Sequence, residues 1–423
     1  MLCIECEVTS VHAGRETISF SLTFDMGASK YSGRNDFEWA VKLNRAGLNL
    51  VGIWPDPEEN PREKLMSNIR VFVTFLLVIS LLVPSIHSLI KTHSDIMLTT
   101  DNLQYTLPAL STIIKLPIFW WKKKALASII KMIVEDWLKS KTIYEKNAMM
   151  KWALRARIII TCTYLVIVLA FILLFGMPII GKSMALTPNI TDSGKSMLMP
   201  TYYIYDVTKK PQYQLTLISQ CISLSTGAVI YTGIDNFFGL CVFHICGQLN
   251  IMRSRLKHSH GNFRTVLKNS VIYHIRLLRA INTIEDTYSV ILLILFVYFG
   301  IMFAFCGFLL ITLFEVEENN VSFTRLLFLF LIIISMLVHM GIYCAVGEAL
   351  ISECNGIYYA VYDFEWYYLD PKEAKDLIPF IIKVSEPVYF TAGKVFPVTM
   401  AMLCNLIKTS AGYISVLLAT KRN

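Results

Sequence analysis

Charge is scarce in this chain of 423 residues: Asp, Glu, Lys and Arg make up 17%, against 55% hydrophobic residues. Mean hydropathy is +0.53. Soluble domains carry more charge and less apolar surface, so an ordinary water-exposed globule is excluded. No secretory leader is expected either, since the first 68 residues hold no apolar run of the needed length. Catalytic signatures are absent: there is no His-Glu-x-x-His, no Gly-x-Ser-x-Gly and no phosphate-binding Gly-rich loop. No enzyme activity and no cofactor are therefore expected. Ten cysteines occur, but none falls in a segment expected outside the cell, which argues against a disulfide framework. Cys162, Cys221, Cys241, Cys306, Cys344 and Cys404 sit in or beside apolar segments, where they act as small hydrophobes. Cys3 and Cys6 lack a second pair, and His258 and His260 are two histidines in a polar loop, so no metal site is expected.

What the chain does have is apolar length. About 20 mostly apolar residues cross a bilayer once, and seven segments meet or approach that: 69–90, 103–121, 158–180, 213–236, 288–314, 326–347 and 395–418. The second and seventh are the weakest because they carry Lys115 and Lys408. Lys115 is expected to snorkel toward a nearby cytosolic end. The last segment reads as an apolar helix with a polar seam of Thr399, Asn405, Ser410 and Ser415, which points to a helix facing protein or water.

Basic residues set the orientation. Ten Lys and Arg lie between the second and third segments, from Lys122 to Arg157, and seven between the fourth and fifth, from Arg253 to Arg279. No acidic residue occurs over 250–280. The alternate connections are acidic or nearly neutral, so the N-terminus is expected in the cytosol and the C-terminus outside. Both Asn-x-Ser/Thr sequons, at Asn189 and Asn320, fall in the expected outer loops, and Asn189 has the room to carry a glycan. One cytosolic stretch, 348–383, breaks the pattern with seven acidic residues against three lysines; a cation path would account for it. The basic, tryptophan-bearing stretch 122–157 has helical spacing at Leu126, Ile129, Ile130, Ile133 and Trp137. It reads as extensions of the neighbouring spans into the cytosol, not as a nucleic-acid or calmodulin site.

The C-terminal part carries a denser pattern: Tyr362, Trp366, Tyr367 and Pro371, then Pro387, Ala392-Gly393-Lys394, Phe396-Pro397 and Lys408-Thr409-Ser410. This combination resembles the C-terminal signature of insect odorant receptors. A looser likeness runs upstream through Asp36-Phe37-Glu38-Trp39 and Gly52-Ile53-Trp54-Pro55, and 41–45 resembles hymenopteran members. A G-protein-coupled receptor is the competing class, but the orientation is reversed, and neither an Asp/Glu-Arg-Tyr triplet nor Asn-Pro-x-x-Tyr is present. Gustatory receptors differ at the end of the last span, and the shared odorant co-receptor has a longer insertion after the fourth.

The resemblance implies an all-α membrane protein of seven transmembrane helices. It implies a tuning subunit of a ligand-gated cation channel, working in a hetero-tetramer with the co-receptor. The expected organisation is a polar, disordered extension at 1–35, an interfacial helix at 36–68 anchored by Trp39 and Trp54, and a six-helix bundle at 69–347. A cytosolic anchor at 348–394 and a pore helix at 395–423 follow. The partners implied are membrane lipid and a small apolar volatile. The volatile is expected in the outer half of the bundle, against Tyr105, Leu110, Phe171, Phe175, Met177, Leu217, Cys221, Tyr298, Met302, Phe305 and Phe330. The family alignment puts Val416 at a hydrophobic constriction, with Ala419 and Thr420 beyond it and Lys408 lower in the pore helix. Tyr362, Trp366, Tyr367 and Tyr389 are implied in assembly between subunits.

Overall fold

The computed structural model describes residues 14–139, 141–179, 197–207, 209–257, 263–315, 323–364, 366–368 and 370–422, with side chains described from residue 32 on except at 96–97, 177–179, 263, 312–315, 323–325, 327–328, 368, 417–418 and 420–422. Nearly all of it is helix: α1 (Gly14–Leu50), α2 (Pro61–Thr92), α3 (Ile96–Leu138), α4 (Ile143–Ile179), α5 (Gln212–Lys257), α6 (Phe263–Glu315), α7 (Phe323–Tyr362), α8 (Pro371–Ser385) and α9 (Met400–Arg422). Among the described residues, five of these helices, α2 and α4–α7, are long and apolar enough to cross a membrane by length and composition. α3 and α9 contain the two segments that the sequence marks as weakest, which carry Lys115 and Lys408.

Several helices outrun a bilayer. α3, α5 and α6 have 43, 46 and 53 residues, so at 1.5 Å per residue each extends well beyond about 30 Å of hydrocarbon. α1 packs on α3, α4 and α5, with its Phe37, Ala40, Val41 and Leu48 buried against the bundle. The helix expected over 37–51 is thus the C-terminal part of α1. The turn into α2 needs Gly52, whose φ of 83° favours glycine and whose missing Cβ would lie 2.5 Å from the Ser67 carbonyl oxygen. Asn60 and Glu63 form a capping box at the start of α2, with Pro61 in the first turn.

Polar ties hold the long extensions together. Asp136 on α3 accepts hydrogen bonds from Arg276 Nη1 on α6 at 2.6 Å and from His244 Nε2 on α5 at 3.3 Å. Burial would raise the Asp136 carboxyl, but these two partners outweigh it and hold the pKa at about 2. Arg255 Nε on α5 reaches Glu145 on α4 at 2.7 Å. The basic loops of the sequence are therefore crossed by specific ion pairs.

The chain between α8 and α9 differs from the expected start of an apolar helix. Thr391–Ala392 and Phe396–Pro397 form a tight antiparallel hairpin, with Gly393 and Lys394 at φ of 64° and 61°. Two consecutive left-handed residues end any helix there. The hairpin docks on α6: Gly393 N donates to the Ser289 carbonyl at 2.8 Å, Lys394 N to Ser289 Oγ at 2.9 Å, and Thr391 to the Glu285 carboxylate. α9 begins only after Pro397.

Candidate functional site: a cavity among α3–α7

A cavity of about 870 Å³ lies among α3, α4, α5, α6 and α7, with Val78 and Leu81 of α2 at its side, and runs from Met199 at one end to Leu240 and Phe243 at the other. Helical spacing makes its walls. On α3 the lining residues are Gln104, Tyr105, Pro108, Ala109 and Thr112; on α7 they run from Leu331 and Ile334 through Val338, His339, Ile342 and Tyr343. Both series recur at three and four residues, one face of each helix. Tyr231 of α5 and Tyr298 and Phe299 of α6 close the middle, and Met199 reaches in from the connection before α5. The wall is overwhelmingly apolar and aromatic, the chemistry that binds small organic molecules by desolvation and dispersion.

One charged cluster borders it. Lys115 is fully buried, donating to Asp235 at 2.7 and 3.0 Å and lying 3.6 Å from the Tyr231 ring centroid. His339 Nε2 is 3.1 Å from the other side of the Asp235 carboxylate. A carboxylate only accepts, so Nε2 carries the proton. The expected snorkelling of Lys115 is overturned: its ammonium turns inward because Asp235, on the facing helix, cancels a charge that hydrocarbon would penalise. A lone lysine in one apolar run and a lone aspartate in another was the signal for this pair. Among the described residues, no group of three or more His, Cys, Asp or Glu is placed to hold a metal.

The far end of the cavity is covered by residues 197–207. Met197, Leu198 and Met199 are buried there. Tyr202 N donates to the Pro84 carbonyl at 3.1 Å, and Gln220 Nε2 donates to Thr201 and Tyr203 at 3.0 and 3.2 Å. Nothing in the sequence marks this loop as a wall, because its contacts are individual hydrogen bonds and not a periodic pattern.

Of the eleven pocket positions expected from sequence, Tyr105, Phe171 and Tyr298 line the cavity. Phe175, Leu217 and Cys221 join Tyr105 in a small apolar cluster around Leu81 and Met199. Met302 is buried in the main core and Phe305 is half-buried on α6. Leu110 and Phe330 are exposed and do not reach the void, since each is one residue, about 100° of helix rotation, off the lining face. The side chains of Met177 and Thr420, and Asn189 altogether, lie outside the described residues. Tyr362, Trp366, Tyr367 and Tyr389 are exposed at the ends of α7 and α8.

α9 packs on α6 and α7 through Met402, Leu403, Leu406 and Ser410, the last donating to the Gly300 carbonyl at 3.5 Å. Ser410 therefore leaves the polar seam. Asn405, Lys408, Val416 and Ala419 are exposed on the opposite face. α6 presents Tyr298 and Phe299 to the cavity and Gly300 and Gly307 to α9, where a Cβ at Gly307 would lie 2.3 Å from Ile414.

Comparison with known proteins fits this geometry. The structure of the insect olfactory receptor OR5 from Machilis hrabei in complex with eugenol superposes with a TM-score of 0.76 at 15% identity, covering 92% of this chain and all of that one. The same receptor in a second structure gives 0.73 over 90% of this chain and 97% of that one. Odorant receptor 10 of Aedes albopictus is 24% identical over 220 residues, 50% of this chain and 57% of that protein. Odorant receptor Or2 of Anopheles gambiae is 23% identical over 225 residues, 50% and 58% respectively. These matches span less than two thirds of either mosquito receptor. The G-protein-coupled and gustatory alternatives are not favoured. The sequence pattern described as 7tm Odorant receptor matches residues 95–411, three quarters of the chain, and the chain is a seven-helix membrane protein that belongs to the insect odorant receptor family.

Proposed function

We propose that this chain is the ligand-tuned subunit of an odorant-gated, non-selective cation channel in the plasma membrane of olfactory sensory neurons. It binds a small apolar volatile in the cavity among α3–α7 and opens a pore lined by α9, in a hetero-tetramer with the odorant co-receptor. The observation that carries the reading is the aromatic cavity itself, about 870 Å³ and walled by Tyr105, Phe171, Tyr231 and Tyr298. α6 links it to the pore helix, since consecutive residues Phe299 and Gly300 face the ligand space and α9. A ligand that fits better when α6 is displaced shifts the channel toward the open state, because only differential affinity moves such an equilibrium.

In this reading the end covered by α1 is cytosolic and the C-terminus is outside, as the basic loops require. Val416 forms a hydrophobic ring that dewets when narrow, followed by Ala419 and Thr420 toward the outer mouth, with Lys408 below. Its support is the exposed face that α9 turns away from α6 and α7. The exposed aromatics Tyr362, Trp366, Tyr367 and Tyr389 anchor neighbouring subunits. Asn189 carries the outer glycan, and the exposed apolar faces of α2 and α4 contact lipid.

The test is electrophysiological. Cells expressing the chain with the co-receptor should give odorant-evoked cation currents, and cells expressing either alone with the same odorants should not give the same tuning. Trp366→Ala should lower co-precipitation with the co-receptor while total protein is retained. Currents that track the co-receptor regardless of this chain would overturn the reading.

A further inference from the structure

Four of the polar side chains that line the cavity spend their protons on their own helices. The hydroxyls of Thr112, Thr163, Thr232 and Ser335 each donate to a backbone carbonyl three or four residues back, at 2.7–2.8 Å. Asp235 has both carboxylate oxygens occupied, by Lys115 at 2.7 and 3.0 Å and by His339 Nε2 at 3.1 Å. His339 is different. It lines the void with 29% of its side chain accessible, and its second nitrogen, Nδ1, has no hydrogen-bond partner among the described residues. Nor is Nδ1 sealed inside the protein, as the unpaired Gln104 amide and Tyr343 hydroxyl are. The ring is gripped from several sides: Nε2 is tied to Asp235, Tyr343 stacks on it at 5.6 Å between centroids, and Tyr231 and Phe299 make T-shaped contacts at 5.5 Å. It is therefore not free to turn Nδ1 away.

We infer that His339 is a specificity-determining residue, and that the cavity takes a small volatile whose hydroxyl donates a hydrogen bond to His339 Nδ1. This rests on the cavity being the ligand site and adds the chemical class it takes. With the proton held on Nε2, the neutral imidazole offers only a lone pair at Nδ1, so its complement is a donor. Lys115 and Asp235 cancel one another's charge, which suits a neutral alcohol and not an ion. The hydrocarbon body extends from His339 toward Tyr105 and Phe171, along walls that bind by desolvation and dispersion. Ethers, esters and ketones only accept, so they leave Nδ1 unpaired and set a second lone pair against it. Sites built to hydrogen-bond a hydroxyl discriminate strongly against analogues that lack it, because the protein group then stays unpaired.

The experiment uses purified full-length receptor in lipid nanodiscs, with three probes of equal heavy-atom number: 1-heptanol, its isomer 1-methoxyhexane, and octane. Kd is referred to probe concentration in the nanodisc lipid. Wild type should bind the alkanol about tenfold tighter than the ether, one net hydrogen bond's worth. His339→Phe should erase that preference and keep octane affinity. Asp235 still has Lys115 in that variant, and the unliganded melting temperature reports its folding. Independently of the variant, the alkanol should move one Nδ1 resonance of 15N-labelled histidines in wild type, and the ether should move none. The inference is overturned if wild type binds alkanol and ether alike, if no Nδ1 resonance responds to the alkanol, or if folded His339→Phe keeps the preference. Gly227→Leu, which fills the void, tests the underlying reading by itself and should weaken all three probes. Weakening without any alkanol preference sinks the His339 assignment alone; unchanged binding of every probe removes the cavity as the ligand site as well.

Discussion

The two ends of the helical bundle are built from the same α3, α5 and α6, yet one is packed solid and the other is hollow. At the α1 end Trp54, Phe119, Phe237, Phe238 and Tyr288 interlock with ring centroids 5.0–6.5 Å apart, and the Tyr288 hydroxyl donates to the Ile234 carbonyl at 2.7 Å. Residues of those same helices also wall the cavity. The two regions meet at Phe238, Asp235 and His339, which line the cavity, with Lys115 paired to Asp235 beside them. A close-packed interior transmits strain and tolerates little change in volume. An open one can accept a ligand without reorganising. Substitutions at the packed end should therefore act on folding, and those at the hollow end on ligand response.

The boundary should break hardest. Lys115→Met leaves the Asp235 charge with only His339, at a cost of about 3–5 kcal/mol. Surface biotinylation should show most of the protein retained inside the cell, and adding Asp235→Leu should restore much of the delivery. Normal delivery of the single variant would mean that the ion pair does not tie the two ends together.

A smaller effect belongs to the extensions beyond the packed core. Asp136 is held at a pKa of about 2, below the ordinary 3.8. Its pairing with His244 and Arg276 is therefore fully stabilising above pH of about 4 and lost as pH falls through about 2. The linked contribution is about 2 kcal/mol. Melting curves of the solubilised receptor should show this acid loss in wild type. In Asp136→Asn the loss should already be present at neutral pH and flat below pH 4. An equally acid-sensitive Asn variant would assign the effect elsewhere.

The least costly change to stability concerns α9, which packs on α6 and α7 and is the proposed pore helix. Val416→Ser should leave delivery unchanged and raise odorant-independent current several-fold by wetting the ring. A cysteine at 416 should react with an impermeant thiol reagent when odorant opens the channel. Loss of expression without leak would put Val416 in the bundle.

Much of this architecture is legible in the sequence because apolar length is a one-dimensional signal. The spans, their weakest members, and the helical continuation of 122–157 all follow from it. Facing is different. A membrane helix is apolar toward both lipid and protein, so periodicity alone does not say that Ala109 lines the cavity while Leu110 turns away from it. The hairpin at 391–397 is hidden for another reason: its geometry comes from docking on Glu285 and Ser289 of a distant helix. Asp235 was readable only once paired with Lys115 across 120 residues.

If the hollow end is ligand space coupled to the channel, filling it at Gly227 must weaken the response to odorant. Gly227 lines the cavity on α5, and a Cβ there would meet only Val78 at 3.9 Å. Gly227→Leu fills void without disturbing the packed end and improves helix propensity by about 1 kcal/mol. Odorant dose–response curves, recorded with the co-receptor at matched surface levels, should shift to higher concentration by about tenfold or more, since the ligand must now enter an overfilled space. An unchanged potency at normal surface level would mean that odorant does not occupy this cavity.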